Sequence, residues 1–239
     1  MTALIPRGGA TLEPAPSTRV DVRRLLHEVD PYAGFDAKAY PFDPQGWNGT
    51  APLFGRLIGA VRPRLVVEVG SWQGQSAITM GRHLRAQGLG AQLVCVDTWL
   101  GATEFWLQPG NALHRGLRLR HGYPSVYYQF LANVCHAGLT DVIVPFPAPS
   151  TIAARVLLAR GVRADLVYID ASHEENDVWL DLAYWWQALR PGGVMFGDDY
   201  HERLMPGVTR AVQSFFGELG LRHAVVAGQH WVVEKPRAG

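Results

Sequence analysis

Short apolar runs alternate with stretches in which apolar residues recur every three or four positions. The first pattern is typical of buried strands and the second of amphipathic helices. We predict strands at 65–69, 93–96, 142–144, 166–169, 194–196, 223–227 and 230–234. We predict helices at 50–61, 76–86, 126–136, 151–159, 178–189 and 208–219. The triplet Pro191-Gly192-Gly193 is expected to separate the fifth helix from the strand that follows it.

This order of elements predicts an α/β fold with a doubly wound, mostly parallel, seven-stranded sheet. Alternating strands and helices place helices on both faces of such a sheet. Gly228 and Gln229 join the last two strands as a hairpin signal. We therefore expect an antiparallel C-terminal hairpin at one edge. The irregular stretch 98–123, rich in Trp and Gly, is a candidate active-site insertion.

The region before the first strand has a different character. Residues 1–17 are rich in Pro, Gly and Ala and are predicted to be disordered. Residues 20–29 can form a short amphipathic helix, and 31–50 is irregular and aromatic. An aromatic loop of this kind either packs on the domain or covers a site. We divide the chain into an N-terminal extension, 1–49, and a larger domain, 50–239.

Composition and charge exclude several classes of protein. The chain has 239 residues, of which 48% are apolar, and a formal net charge of +1. This length and apolar content suit one α/β domain, and the charge gives no reason to expect nucleic acid as a partner. Cys95 and Cys135 lack metal or disulfide spacing and are expected to be buried thiols in a reducing compartment. No apolar run approaches the roughly 18 residues of a membrane span, so we expect a cytoplasmic protein without a membrane partner.

Carboxylates follow two of the predicted strands. Asp170 ends the fourth strand, and Asp198 and Asp199 end the fifth, with His173 three residues beyond the first acid. Ligands of open parallel sheets bind outside these strand ends, and Mg2+ prefers oxygen ligands of this kind. Acids after strands also cap helices or bind water, and His173 could make only a local hydrogen bond, so a structural interpretation stays open.

A glycine-bearing turn follows the first strand. It runs from Glu68 to Gly74 and lacks the spacing of a dinucleotide-binding turn. Gly70 and Gly74 still let a ligand lie against the backbone. Asp97, which ends the second strand, could accept hydrogen bonds from both hydroxyls of a ribose. We expect a nucleoside cofactor here, with Glu68 either anchoring the turn or approaching a cationic ligand.

Four segments together resemble class I S-adenosylmethionine-dependent methyltransferases. They are EVGSWQGQS, CVDTW, VYIDASHEENDV and LRPGGVMFGDDY. Within that class the chain is similar to methyltransferase family 24 and to the metal-dependent macrocin and mycinamicin sugar O-methyltransferases. The resemblance covers residue 50 to about residue 233 and implies a Rossmann-like fold. The larger N-terminal regions of the macrolide enzymes are missing here.

The resemblance implies roles for individual residues. It implies that S-adenosyl-L-methionine contacts Glu68, Gly70, Ser71, Gly74, Ser76, Asp97, Ser150 and Asp170. Asp97 would bind the ribose and Ser150 the adenine. It further implies that Asp170, Asp198 and Asp199 bind Mg2+ or another divalent cation and that His173 is the base. The paired acids are Glu-Asp or Asp-Asn in some relatives and are Asp-Asp in this chain.

The sequence therefore predicts a metal-dependent O-methyltransferase that acts on a small hydroxylated acceptor such as a sugar, a catechol-like ring or another natural product. Metal bound beside the acceptor hydroxyl would lower its pKa, and His173 could then take the proton. Two alternatives stay open: a metal-dependent hydroxylase or hydrolase on the same carboxylates, and a non-catalytic protein that binds the cofactor. A homo-oligomer is also considered, whereas the acceptor and a lid role for 31–50 and 98–123 are left open.

Overall fold

A computed structural model describes residues 20–227 and 229–237. Its strands are β1 (Leu65–Val69), β2 (Gln92–Asp97), β3 (Ile143–Pro147), β4 (Ala164–Ile169), β5 (Leu189–Gly197), β6 (Ala224–Val226) and β7 (His230–Glu234). Its α-helices are α1 (Val22–Leu26), α2 (Pro52–Val61), α3 (Gln75–Ala86), α4 (Thr103–Trp106), α5 (Ala112–Gly116), α6 (Val126–His136), α7 (Ser150–Ala159), α8 (Glu175–Ala188) and α9 (Pro206–Glu218). A 3₁₀ turn spans Ala37–Ala39.

The strands form one seven-stranded sheet in the order β3-β2-β1-β4-β5-β7-β6. Strands β1 to β5 pair in parallel, and β7 is antiparallel to both β5 and β6. Helices α2, α3 and α6 cover one face, and α7, α8 and α9 cover the other. The predicted doubly wound, Rossmann-like α/β fold is confirmed, and it brings the carboxyl ends of β1, β2, β4 and β5 to one edge.

Strand β3 is longer than predicted. It includes Pro145 and Pro147, which lie beyond the strand predicted at 142–144. Because β3 is at the edge of the sheet and pairs only with β2, a proline there need not remove a ladder hydrogen bond. The strand therefore continues until Pro147 lies opposite Asp97.

Strand β5 begins earlier than predicted. Helix α8 ends at Ala188, and β5 starts at Leu189, so the Pro-Gly-Gly triplet lies inside the strand. The pairing of β4 with β5 shifts its register between Ala164 and Leu166, which accommodates the extra residues. Gly192 donates a backbone hydrogen bond to the Lys235 carbonyl at 2.9 Å. The prediction that the triplet separates the helix from the strand is therefore wrong, because the helix has already ended at Ala188 and the strand begins at the next residue.

Other boundaries differ at chain ends and loops. Helix α1 has only five residues instead of the ten predicted at 20–29, and β6 is shorter than the strand predicted at 223–227. The stretch 98–123 contains the short helices α4 and α5. Residues 1–17, predicted to be disordered, and Gly228 of the hairpin lie outside the described residues.

The aromatic N-terminal segment packs on the domain. Tyr32 donates its hydroxyl to the Ile143 carbonyl at 3.2 Å, and its ring is partly buried against the core. The Asp43 backbone donates to Asn133 of α6 at 2.8 Å. Trp47, at the end of this segment, does not share in this packing and remains 62% exposed. None of the helices in the described part of the chain has the length and apolar character needed to span a membrane.

Helices α7 and α8 are joined by a buried polar chain. Trp185 donates its indole N–H to the Ser150 hydroxyl at 2.8 Å, and that hydroxyl donates to Asp181 at 2.5 Å. Burial raises the pKa of Asp181 to about 6, although the hydrogen bond from Ser150 opposes the rise. Ionisation of this buried carboxyl group above about pH 6 therefore lowers the stability of the fold.

Replacing Asp181 by Asn should flatten the dependence of stability on pH. The folded-state pKa lies above the ordinary value of 3.8, so the contribution of Asp181 to stability is fully present below pH 3.8 and is lost as the pH rises through about 6. Between pH 4 and pH 7 the free energy of unfolding of the wild type should fall relative to Asp181→Asn by on the order of 3 kcal/mol. Urea unfolding at a series of pH values measures this. Glu218→Gln, at an exposed acid on α9, is the control, and parallel curves for Asp181→Asn and wild type would contradict the assignment.

Candidate functional site

The predicted acids meet at the carboxyl edge of the sheet. A small cleft between the ends of β4 and β5 is lined by Asp170, His173, Asp198 and Asp199, together with apolar residues such as Trp231. Ile169, the last residue of β4, lies opposite Gly197, the last residue of β5. The two parallel strands therefore end at the same level, which brings the acids that follow them together. The sequence pattern therefore placed these four side chains together correctly.

Asp170 is held by the strand from which it emerges. The Tyr168 hydroxyl donates to Asp170 Oδ2 at 2.9 Å. Burial, followed by the neighbouring Asp199 and Asp198 carboxylates, raises the pKa of Asp170 well above its ordinary range. A carboxyl group in these surroundings favours either a proton or a nearby cation.

Asp198 is buried and has partners that sequence analysis missed. The Asn48 side-chain amide donates to Asp198 Oδ2 at 3.0 Å. Oδ1 has no hydrogen-bond partner among the described residues, and His230 Nε2 lies 3.6 Å from it. Burial raises the pKa of Asp198, and His230 and Asn48 partly counter the rise. In the sequence, Asn48-Gly49 signals only a turn.

His173 lies between two carboxylates. Its Nε2 is 2.9 Å from Asp199 Oδ2, and its Nδ1 is 3.3 Å from Glu104 Oε1. The hydrogen bond with Asp199 raises the pKa of His173, and burial opposes this rise. Asp199 itself has a left-handed backbone, with φ at 60°, which is uncommon outside glycine. Glu104 belongs to α4 of the insertion, and no sequence pattern linked it to this histidine.

The donor set suits a hard divalent cation, since carboxylate oxygens are the ligands that Mg2+ and Ca2+ prefer. A buried Asp198 oxygen that has no partner fits the same interpretation. The arrangement, however, is not a ready-made metal centre. In the described part of the chain, no group of three or more His, Cys, Asp or Glu side chains is placed so that it could hold a metal ion.

The glycine turn touches the acid edge directly. Gly70 has a φ of 86°, and a Cβ there would lie 2.1 Å from the Asp170 carbonyl oxygen. Gly74 precedes α3 with a φ of 93°, and a Cβ there would lie 3.1 Å from the Phe130 ring. Both glycines are therefore required by backbone conformation and close packing, whether or not a ligand lies against them.

Glu68 lies under the turn rather than in the cleft. It is fully buried, and its two carboxylate oxygens accept the hydroxyls of Ser71 at 2.6 Å and Ser76 at 2.5 Å. Burial raises the pKa of Glu68 to about 7, although both serine hydroxyls oppose the rise. Of the two interpretations of Glu68, the geometry favours the anchor. The hydroxyls of Ser71 and Ser76, two predicted cofactor contacts, are hydrogen-bonded to Glu68 in this structure.

Asp97 fastens the turn to the neighbouring strand. Its Oδ2 accepts the backbone N–H groups of Ser71 at 3.0 Å and Trp72 at 2.9 Å, and its Oδ1 accepts that of Trp99 at 2.7 Å. Burial raises the pKa of Asp97, and these backbone hydrogen bonds counter it. Each carboxylate oxygen has two lone pairs, so Oδ1 keeps one for a ligand hydroxyl.

The remaining predicted contact, Ser150, is the first residue of α7. It follows β3 at the same edge of the sheet, as expected, but its hydroxyl is bonded to Asp181 and Trp185. Its side chain therefore joins two helices in this structure.

The insertion 98–123 packs over the glycine turn. The Trp99 indole donates to the Trp72 carbonyl at 2.7 Å, and the rings of Trp72 and Phe105 lie 4.6 Å apart. Glu104 of the same insertion contacts His173. The insertion therefore borders both the glycine turn and the acid cleft.

Comparison with known proteins identifies a family. The sequence profile of the family described as a methyltransferase domain matches residues 67–200, which is more than half of the chain. A curated relative, the uncharacterized protein y4gI of Sinorhizobium fredii (strain NBRC 101917 / NGR234), is 25% identical over 163 residues. That match covers 68% of this chain but only 16% of the relative.

Solved structures share the fold at low sequence identity. The O-methyltransferase NovP superimposes with a TM-score of 0.59 at 18% identity, covering 77% of this chain and 78% of that protein. An O-methyltransferase from Bacillus cereus, solved in complex with SAH, gives 0.54 at 17% identity and covers 94% of both chains. At this level of identity the likeness supports the sheet topology and the position of the helices.

Gly70→Ala should destabilise the protein more than a left-handed glycine elsewhere does. Gly88 is the matched control, because its φ is 64° and a Cβ there would have nothing within 4 Å. Gly88→Ala should cost about 1–2 kcal/mol, the cost of the left-handed backbone alone. Gly70→Ala adds the clash with Asp170, and urea unfolding should show a clearly larger loss. Equal losses at the two positions would contradict the close approach.

Proposed function

The chain belongs to the methyltransferase-domain family, and from this we propose that it transfers the methyl group of S-adenosylmethionine to a hydroxyl of a small acceptor, with a divalent cation such as Mg2+ at the three acids and His173 as the base. The observation that carries the proposal is the convergence of Asp170, Asp198, Asp199 and His173 in one cleft that adjoins the glycine turn. Clusters of ionisable groups that include raised pKa values, as Asp170, His173 and Asp198 do here, are typical of functional sites.

The cofactor is assigned to the turn between β1 and α3. S-adenosylmethionine supplies an activated methyl group on a sulfonium, so the protein mainly positions the reactants. Asp97 retains a lone pair for a ribose hydroxyl while its other contacts hold Ser71 and Trp72 in place. Because Gly70 touches the Asp170 backbone, a cofactor along the turn would lie beside the acids.

Asp170, Asp198 and Asp199 are the residues that would hold the cation. When bound, a divalent cation lowers the pKa of a hydroxyl next to it and neutralises the carboxylates. Burial of Asp170 and Asp198 supports this assignment, since buried like charges repel unless a cation or protons intervene. Each acid now contacts a different partner, Tyr168, Asn48 or His173.

His173 is the residue placed to remove the acceptor proton. Its Nε2 is engaged with Asp199, so it can accept a proton from a hydroxyl only when that contact is broken. Loss of the contact also removes the main cause of its raised pKa, which makes the imidazole available as a base near neutral pH. Glu104 on the Nδ1 side keeps the ring oriented meanwhile.

Chelation should abolish methyl transfer without unfolding the protein. The assay uses labelled S-adenosylmethionine with a panel of aliphatic and phenolic hydroxyl acceptors, first with Mg2+ and then with EDTA. We expect turnover to vanish in EDTA and to return when Mg2+ is added in excess, with an unchanged circular dichroism spectrum. Full turnover by protein confirmed to be metal-free would remove the cation from the proposal, and cofactor binding without turnover on any acceptor would favour a binding protein.

His173→Ala should lower the rate of methyl transfer by roughly 10²- to 10⁴-fold, the usual share of general-base catalysis. The affinity for the cofactor should barely change, because the imidazole lies beyond the turn at the acid edge. The loss should be smaller for a phenol than for an aliphatic alcohol, since the phenol ionises more readily. A near-normal rate on the aliphatic acceptor, with chemistry limiting, would return His173 to a structural role.

A further inference from the structure

Two residues that are distant from Asp198 in the sequence lie next to its carboxylate oxygens. Asn48, from the N-terminal segment, donates to Oδ2 at 3.0 Å. His230, the first residue of β7, places its Nε2 3.6 Å from Oδ1. Asp198 and His230 are 4% and 3% exposed, so water does not substitute readily for either contact.

The His230 side of this arrangement is unsatisfied. Both ring nitrogens of His230 and Asp198 Oδ1 lack hydrogen-bond partners among the described residues. Buried polar groups are normally paired. A shift of about half an ångström would bring Nε2 and Oδ1 to hydrogen-bond distance. The histidine is thus placed to hold one particular orientation of the carboxylate.

The Asn48 side is fixed by the backbone. Asn48 has a φ of 54°, a conformation that asparagine tolerates better than most residues. Gly49 is buried, and a Cβ there would lie 2.9 Å from the Ser76 backbone nitrogen. A Cβ at Gly46 would lie 2.7 Å from Gln75 Cβ. The segment is therefore pressed onto the start of α3, beside the glycine turn, and presents the Asn48 amide at a defined position.

We propose that Asn48 and His230 are positioning residues that orient the Asp198 carboxylate for the divalent cation, and that the N-terminal segment is thereby part of the site. This inference rests on the cation of the proposed function. Groups that hydrogen-bond a ligating carboxylate fix its orientation and raise affinity for the metal. Asn48 donates to Oδ2 and His230 lies beside Oδ1, so the two residues together limit how the carboxylate can turn.

The test measures Mn2+ binding by electron paramagnetic resonance, with neither cofactor nor acceptor present. Asn48→Gly removes the amide and keeps a residue suited to the left-handed backbone. Gln45→Gly is the matched control, because Gln45 is an exposed residue of the same segment whose side chain makes no hydrogen bond within the described residues. Asn48→Gly should weaken Mn2+ binding roughly 10- to 100-fold, whereas Gln45→Gly should leave it unchanged.

His230→Phe should weaken Mn2+ binding in the same direction. The double variant should lose less than the product of the two single losses, because both residues act through one carboxylate. If His230→Phe does not fold, the Mn2+ affinity of Asn48→Gly tests the inference by itself, because Asn48 is exposed and its replacement should not disturb the core. Wild-type affinity in Asn48→Gly would overturn the inference and leave the proposed cation standing. Absence of Mn2+ binding by the wild type would overturn the cation and this inference together, while methyl transfer itself remains separately measurable.

Discussion

The backbone contact between Gly70 and Asp170 is the constraint on which the site depends. A side chain on Gly70 would overlap the Asp170 carbonyl, and the Asp170 N–H donates to the Val69 carbonyl at 2.9 Å. The turn after β1 and the acid after β4 are therefore one rigid unit. Asp97 extends this unit to β2 through the amides of Ser71 and Trp72. Geometry that could have depended on mobile loops is instead set by the pairing of central strands.

The carboxyl edge of the sheet is rich in acidic side chains. Five carboxylates lie along it, those of Glu68, Asp97, Asp170, Asp198 and Asp199, and burial raises the pKa of the first four. Within residues 20–227 and 229–237 their ion-pair contacts are to His173 and His230, and neither Lys nor Arg takes part. Hydroxyl and amide groups donate hydrogen bonds to several of these carboxylates without neutralising their charge. A positively charged ligand would offset that charge, and a sulfonium cofactor and a divalent cation are both of that kind.

The sheet was predictable from the sequence because its strands are buried on both faces and appear as continuous apolar runs. The acids were predictable for the same reason, since each ends such a run. The end of β3 was predicted too early because a strand can contain proline when it lies at the edge of a sheet. Only the strand order shows that β3 lies there. Asn48 and Glu104 were missed because their partners are 150 and 69 residues away, and neither lies in a periodic segment. The choice between the two interpretations of Glu68, as an anchor of the turn or as a contact of a cationic ligand, required knowledge of its burial beneath the turn.

The two segments outside the regular fold are tied to one another as well as to the domain. The backbone N–H of Asp43 donates to Asn133 of α6 at 2.8 Å, and its carboxylate accepts a hydrogen bond from Arg118 of the insertion at 2.9 Å. A displacement of the N-terminal segment would thus pull on the insertion, and the reverse also holds. Arg118 and Asp43 are each about one-third exposed, so the tie between them weakens with ionic strength. Rising salt concentration would therefore loosen the N-terminal segment and the insertion from one another at this point, whereas the hydrogen bond between the Asp43 backbone and the Asn133 amide joins uncharged groups and would be less affected.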